Sequence, residues 1–250
     1  MNIIACVKRV PSTTTRVTVK DGTSLDPSGV EFVLNPYDEF AVEEAIQQKE
    51  KAGDGNITVY SFGTSASQKE LRTTLAMGAD QAHLLQNENA QNTDGASTAK
   101  ILAKAIEGNE FDLLLFGKQS VDQDQHGVGP AVATRLGIPC ITEVVALEIT
   151  DCKVKAEREV EGAKEILEAP LPCAITCQKG LNEPRFASLK GIMAAKKKTL
   201  EITEVEMDNL ALEVISMEMP ASRPAGRIIG EGPAAVPELI QALQEEAKVL

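Results

Sequence analysis

Short apolar runs alternate along the chain with segments that have helical periodicity. Each run is almost continuously hydrophobic, as is typical of strands that are covered on both faces. Strands that alternate with helices in this way predict an α/β fold with an open parallel sheet of the Rossmann-like kind and right-handed crossovers. The predicted strands span residues 2–7, 56–62, 82–86, 112–117 and 172–177.

The helices between these strands have recognisable starts and ends. In the first, over residues 35–51, Asn35 is the predicted N-cap, Pro36 suits the first turn, and Asp38 and Glu39 lie at the positive end of the helix dipole. The second, near residues 66–77, ends before Gly78. A third is predicted over residues 96–107, and a fourth follows the loop at 117–128. The core-facing stripe of the first helix comprises Tyr37, Ala41, Val42, Ala45 and Ile46.

Two segments depart from this alternation. Residues 141–168 have the pattern of two strands joined near Asp151 and Cys152, which predicts a hairpin added at the sheet edge. After residue 200 the chain becomes rich in Pro and Gly and closes with an amphipathic helix that Pro237 begins. The predicted organisation is therefore an α/β domain over residues 1–200, which includes a loop at 181–196, and a C-terminal arm with a helix over residues 201–250.

Composition narrows the functional classes. A net charge of −12 argues against general nucleic-acid binding, which depends on neutralising phosphates. Five dispersed Cys without a C-x-x-C pair and two separated His argue against a metal or redox-motif site. Aromatic residues make up 3% of the chain, which is few for gripping a flavin ring. The sequence lacks a signal peptide and an apolar stretch of membrane-spanning length, so we expect a cytoplasmic protein.

The strongest local signal for binding is the polar loop at 117–128, which connects a strand to a helix. In an open α/β sheet, ligands bind beyond the carboxyl ends of strands, and a helix N-terminus there favours phosphate. The loop is not a P-loop, because Asp112 occupies the place of the earlier glycine. A nucleotide site and an ordinary polar loop both remain open on this pattern. His126 has no nucleophile in its motif, so binding is favoured over catalysis.

Residues 180–198 form the other unusual segment. Between residues 186 and 200 the chain has four lysines and no acidic residue, interleaved with Phe186, Leu189, Ile192 and Met193. One interpretation is a surface that docks a partner protein, and the other is a helix that covers the core.

Five ordered motifs resemble the signatures of the electron transfer flavoprotein β subunit: "VKRVP", "LNPYDEFAVEEA", "TTLAMGAD", "GKQSVDQD" and "LNEPRFASLKGIMAAKKK". The resemblance covers residues 2 to about 200. It implies a heterodimer with an α subunit that holds the redox-active FAD. Electrons would come from acyl-CoA dehydrogenases and pass to a membrane quinone-linked oxidoreductase, while the β subunit binds AMP structurally.

The same resemblance assigns residue roles. Leu189 corresponds to the leucine that anchors the dehydrogenase, Ile192, Met193 and Arg185 lie in the same loop, and the C-terminal arm packs on the α subunit. Tyr37 would lean on the flavin, with core packing as its alternative. Arg185 would either hold the base of the loop or lie near the flavin. The AMP contacts implied by the motifs are Cys6, Asn35, Pro36, Tyr37, Asp38, Phe62, Gly117, Lys118, Gln119, Ser120, Val121, Asp122, Gln123, Asp124, Gln125, His126, Gly127 and Val128.

The nucleotide loop departs from the AMP-binding pattern. Ser120 stands where Ala is usual, and residues 126–128 differ from those that often contact phosphate. "VGP" at 128–130 instead resembles the flavin-bifurcating branch, which holds a second FAD and takes electrons from NADH. However, Gln125 replaces that branch's Thr, and "LNEPR" at 181–185 is usually absent from it. AMP is therefore favoured over a second FAD, and a stand-alone nucleotide sensor of the stress-protein kind is a further alternative.

Overall fold

The computed structural model describes residues 1–150, 152–207, 212–222 and 225–250. Its helices, in chain order, are α1 Pro36–Ala52, α2 Gln68–Met77, α3 Gly95–Ile106, α4 Val128–Leu136, α5 Leu189–Ala195 and α6 Val236–Glu245. Its strands are β1 Asn2–Cys6, β2 Arg9–Pro11, β3 Val19–Lys20, β4 Ser24–Leu25, β5 Phe32–Leu34, β6 Asn56–Gly63, β7 Gln81–Gln86, β8 Leu113–Gly117, β9 Cys140–Thr150, β10 Lys153–Val160, β11 Ala163–Pro170, β12 Cys173–Cys177 and β13 Leu200–Glu204.

A nine-stranded sheet in the order β11-β10-β9-β12-β8-β1-β6-β7-β13 organises the described part of the chain. The seven strands from β9 to β13 in that order pair in parallel, while β10 and β11 are antiparallel. The predicted α/β class with a mostly parallel sheet is confirmed. From β1 the chain builds the sheet outward through β6 and β7, and it then returns to place β8 on the other side of β1. The strand order therefore reverses between β1 and β8, which creates a crevice at their carboxyl ends.

The core has one layer on each face of the sheet. In β8, Leu113 and Leu115 belong to the layer under α1 and α2, whereas Leu114 and Phe116 belong to the layer under α3 and α4. All four side chains are buried. Burial on both faces explains why this strand appears as a continuous apolar run and not as an alternating pattern.

The region after residue 140 contains one strand more than the sequence predicts. The hairpin of β9 and β10 has Cys152 in its turn with a φ of 62°, and Asp151 lies outside the described residues. A third strand, β11, pairs with β10 after a turn at Gly162, whose φ is 72°. The predicted hairpin is therefore confirmed as β9 and β10, but the expectation of two strands over residues 141–168 omits β11. Strand β11 lies at the sheet edge and most of its residues are exposed. Its apolar Ile166 faces solvent while Glu165 is half-buried, so the sequence lacks the apolar alternation that marks a half-buried strand.

The sheet also continues beyond residue 200, because β13 pairs with β7 in parallel. The remainder of the described arm has little regular structure before α6. The predicted terminal helix is present, and its apolar residues Leu239 and Ile240 are exposed. No helix within the described ranges is both long enough and apolar enough to span a bilayer.

Candidate functional site: a cleft at the sheet switch point and an exposed apolar segment

A cleft of about 860 Å³, including its solvent-open part, lies where β1 and β8 end. The chain leaving β1 and the loop after β8 form two of its walls. The third wall comes from the segment that leads into α3, and the first residues of α4 close the far side. The cleft thus occupies the position at which open α/β sheets bind their ligands.

Asn35 fixes the loop that follows β8. Its side chain is fully buried. The Nδ2 group donates to the carbonyl oxygen of Gln119 at 2.8 Å, and Oδ1 accepts from the N–H of Val121 at 3.1 Å. Asn35 does stand at the N-cap position of α1, as predicted, but its side chain makes no capping hydrogen bond. The capping role expected for this side chain is therefore wrong, because the loop takes both of its polar atoms.

Asp38, one turn into α1, joins the two strand ends. Its carboxylate accepts from the N–H of Lys8 at 2.7 Å and from the N–H of Gly117 at 3.1 Å. Burial raises the pKa of Asp38 to about 7, although these hydrogen bonds and the nearby Lys8 charge oppose the shift. Gly117 is required by close approach, since a Cβ there would lie 2.3 Å from Asp38 Oδ1. A carboxyl group at the base of the cleft therefore holds the walls of the crevice together.

Lys8 crosses the mouth of the cleft. Its Nζ lies 2.7 Å from Asp122 Oδ2 and 3.4 Å from Ser120 Oγ. The ammonium groups of Lys8 and Lys118 lie beside the cleft, where Asp122 already pairs with Lys8. They would attract an anionic group, which would share Lys8 with Asp122.

Two helices begin at the cleft. The first residues of α3, at Gly95, and of α4, at Val128, both line it. Free N–H groups and the positive dipole end make a helix start suited to phosphate. At α4 no side chain makes a capping hydrogen bond, whereas at α3 the Asp94 carboxylate already accepts from the N–H of Ser97 at 2.8 Å. A Cβ at Gly95 would lie 2.7 Å from Gln125 Oε1, so this glycine lets the loop pack closely against α3.

The structure brings most of the predicted nucleotide contacts into this cleft. The residues among them that line it are Cys6, Asn35, Asp38, Phe62, Gly117, Lys118, Gln119, Ser120, Asp122, Gln123, Gln125 and Val128. Those placed around it are Pro36, Tyr37, Val121, Asp124, His126 and Gly127.

The residues outside the lining have other contacts. His126 Nδ1 lies 3.2 Å from Glu143 Oε1, and Asp124 accepts a hydrogen bond from Gln119. Tyr37 is half-buried, with Lys118 Nζ 5.2 Å from its ring centroid. Gly127 has a φ of −89°, so its backbone does not require glycine.

The sequence did not identify the third wall. Ala90, Gln91, Thr93, Gly95 and Thr98 line the cleft from the segment that links β7 to α3. Strand β7 lies two positions from β1 in the sheet, and only the folded path of this segment brings it to the crevice. The available signal was the Asp94-Gly95 pair, a helix start that faces the 117–128 loop.

Residues 181–196, here called the docking segment after the role that the sequence predicts for them, form the second candidate site. Phe186 is 99% exposed and Leu189 is 83% exposed, and Ile192 and Met193 are exposed beside them. Of its polar residues, Arg185 is turned inward onto α1. The segment therefore presents an apolar surface to solvent on a base that is tied to the protein.

Residues 23–208 match the family model of the electron transfer flavoprotein domain. The chain is 42% identical to the electron transfer flavoprotein subunit beta of Bacillus subtilis, and the comparison covers all of both chains. It is 39% identical to the subunit of the same name from Thermoanaerobacterium thermosaccharolyticum, over 97% of this chain and 98% of the relative. The human subunit is 37% identical, over 90% of this chain and 91% of its own.

The chain belongs to the electron transfer flavoprotein β subunit family. The resemblance stated from the five motifs is thereby confirmed, and with it a role in electron transfer within a flavoprotein. The family match extends through β13, and all five motifs fall on elements that form the cleft, its supporting helices or the docking segment.

Proposed function

We propose that this chain is the β subunit of a heterodimeric electron transfer flavoprotein. Its α subunit partner holds the FAD that accepts electrons from acyl-CoA-type dehydrogenases and passes them to a membrane quinone-linked oxidoreductase. The observation that carries the proposal is the exposed docking segment, because four large apolar side chains on an anchored base suit transient contact with a partner protein. The exposed apolar residues of the C-terminal arm, such as Ile215 and Ile228, suit the more permanent contact with the α subunit.

The cleft at the switch point would hold AMP. The uncapped start of α4 and Lys8 suit the phosphate, while the polar loop suits the ribose and the adenine. The nucleotide supplies no redox chemistry in this role. Its contribution is binding free energy, which stabilises the folded and assembled state. Tyr37, which is half-buried beside the cleft, would contact the partner-held flavin, as the family resemblance implies.

A flavin-bifurcating subunit, with a second FAD in the cleft and NADH as donor, is the alternative. The sequence "VGP" at the start of α4 favours it. Its glycine, Gly129, lines the cleft, and a Cβ there would lie 2.8 Å from Thr176. A stand-alone nucleotide sensor is less well supported, because it gives no use for the docking segment.

Small-molecule analysis of the purified heterodimer tests the cleft. We expect boiling to release one AMP and one FAD per heterodimer. Two FAD without AMP would establish the bifurcating alternative, and FAD without any second nucleotide would overturn the assignment of the cleft.

Replacement of Leu189 by Ala tests the docking segment. Truncating an apolar anchor at the centre of an interface should raise KM for the dehydrogenase by about 10- to 100-fold, with kcat and flavin content unchanged. The control is Leu25→Ala, another exposed leucine, on the small hairpin of β3 and β4. Equal KM values for the two variants would refute docking through Leu189.

A further inference from the structure

Arg185 joins the docking segment to α1 by a set of hydrogen bonds that the motif alone does not reveal. Its Nε and Nη2 donate to the two carboxylate oxygens of Glu43 at 2.8 and 2.9 Å. Its Nη1 and Nη2 also donate to Glu50 at 2.7 and 3.1 Å. The backbone N–H of Arg185 donates to Glu43 as well, at 3.1 Å. Both the main chain and the side chain of one residue are thus fixed on α1.

The receiving carboxylate is well suited to this role. Glu43 is 2% exposed, and its burial opposes ionisation. Hydrogen bonds from Arg185 and Gln47 nevertheless hold the pKa of Glu43 below its ordinary value. Removing Arg185 would leave this carboxylate buried without its charged partner, which is the costly way to break such a pair.

The neighbouring residue Asn182 repeats the pattern. Its Nδ2 donates to the carbonyl oxygen of Phe40 at 3.0 Å and to Glu44 at 2.9 Å. Residues 182–188 belong to no helix or strand, so they lack a regular ladder of backbone hydrogen bonds. These side-chain contacts with α1 therefore help to set their position, together with Ala187, which packs against the core, and Ser188, which caps α5.

The other end of the docking segment is held by α2. Arg72 donates to the carbonyl oxygens of Ala195 and Lys198 at 2.7 and 2.8 Å. Lys198 in turn donates to the carbonyl oxygens of Leu75 and Ala79. Helix α5 is therefore secured at its C-terminus, whereas Phe186 and the approach to Leu189 depend on the α1 contacts.

We propose that Arg185 is a positioning residue for partner docking: by locking onto Glu43 and Glu50, it holds residues 182–188 so that Phe186 and Leu189 present one pre-ordered surface. This inference rests on the proposed docking function. Arg185 does not itself touch the partner, because its guanidinium group is occupied by two carboxylates. Pre-ordering removes the entropy that a loose segment would lose on binding, and so strengthens the encounter complex.

The competing explanation is that the charge of Arg185 steers an acidic partner. Two substitutions separate the explanations, because each breaks the contact with α1 while changing the net charge in opposite directions. Arg185→Ala removes a positive charge, and Glu43→Gln removes a negative one. Positioning predicts that both variants raise KM for the dehydrogenase, whereas steering predicts that KM rises in the first and falls in the second.

The experiment uses the complete heterodimer, an acyl-CoA dehydrogenase with its substrate, and reduction of the FAD as the readout. We expect KM to rise by about 5- to 30-fold in Arg185→Ala and by a smaller factor in Glu43→Gln, with kcat and flavin content unchanged. Arg185→Lys retains the charge but cannot bridge two carboxylates in the same way, so its KM should be intermediate. If Arg185→Ala does not assemble, Arg185→Lys and Glu43→Gln carry the test.

The control is Arg158→Ala: Arg158 is about as exposed as Arg185, and it pairs at 2.7 Å with Glu165, a carboxylate that is far more exposed than Glu43. Its KM should equal that of the unmodified protein. Unchanged KM in both Arg185→Ala and Glu43→Gln, or shifts in opposite directions, would overturn the positioning role. If Leu189→Ala changes KM while Arg185→Ala and Glu43→Gln do not, only the positioning role fails. If Leu189→Ala also leaves KM unchanged, the docking function itself fails.

Discussion

Replacing Gly117 with Ala should disrupt the junction between β8 and α1. The added Cβ would lie 2.3 Å from Asp38 Oδ1, 2.7 Å from the carbonyl carbon of Tyr37 and 2.8 Å from the backbone nitrogen of Asp38. Two of these three atoms are backbone, so a side-chain rotation cannot relieve the clash. The start of α1 must move, and the hydrogen bond from Gly117 N–H to Asp38 must lengthen from 3.1 Å.

The cost follows from these two effects. Forcing an extra methyl group into a packed site costs about 1–3 kcal/mol, and weakening a buried hydrogen bond adds about 1 kcal/mol. A loss of about 2–4 kcal/mol corresponds to a fall in Tm of about 5–15 °C for a chain of this length.

Thermal unfolding of the heterodimer after removal of bound nucleotide measures this loss, since only the protein's own contacts are then compared. Gly127→Ala is the control from the same loop, because a Cβ there meets no atom within 4 Å. Gly127 is the N-cap of α4, so its replacement should cost no more than about 1 kcal/mol. Equal Tm values for the two variants would show that the junction is not tightly packed, and the description of the cleft would then be wrong.

Two further predictions concern charges in the cleft. Because the pKa of Asp38 is raised to about 7, the folded protein still holds a proton that the unfolded chain releases near pH 4. Relative to that of Asp38→Asn, the free energy of unfolding should therefore fall by up to about 1.4 kcal/mol per pH unit from about pH 4 to about pH 7 and level off above it. Urea unfolding of both proteins from pH 5 to 8 measures this difference. If the free energies of unfolding of the two proteins changed with pH in parallel, the prediction would be contradicted. Lys8→Met should change stability by less than about 1 kcal/mol, since its pair with Asp122 is partly exposed, yet weaken AMP binding by about 10-fold through loss of the ammonium beside the cleft. Titration calorimetry on nucleotide-depleted heterodimer measures the affinity, and unaltered AMP binding would remove Lys8 from the site.

The sequence predicts the centre of this fold better than its periphery. Strands β1 and β8 are buried on both faces, and their continuous apolar runs are the sequence pattern expected of such strands. Strand β11 is an exposed edge, and β13 carries mostly exposed residues although it completes the sheet. These two strands join the sheet through backbone hydrogen bonds with their neighbours, and the hydrophobic pattern of their side chains does not predict that pairing.

Local patterns likewise identify a site residue without giving its contacts. Asn35 has the right identity and place for an N-cap, but a loop more than 80 positions away takes its side chain. Arg185 could not be assigned from its motif, because its partners Glu43 and Glu50 lie more than 130 positions earlier. In both cases the side chain makes a long-range contact, and such a contact is visible only in the folded chain.

Helix α1 connects the two candidate sites. Its first turn supplies Asp38 to the cleft, and Glu43, five residues later, holds the docking segment. Five residues span about 7.5 Å along a helix axis, so both contacts lie close together on the same helix. A nucleotide bound in the cleft would stabilise the start of α1, and the same ordering would support the base on which Phe186 and Leu189 are presented. Under the proposed function, this shared helix would give a physical reason to retain a redox-inert ligand, because the ligand would stabilise the element that carries the proposed docking surface.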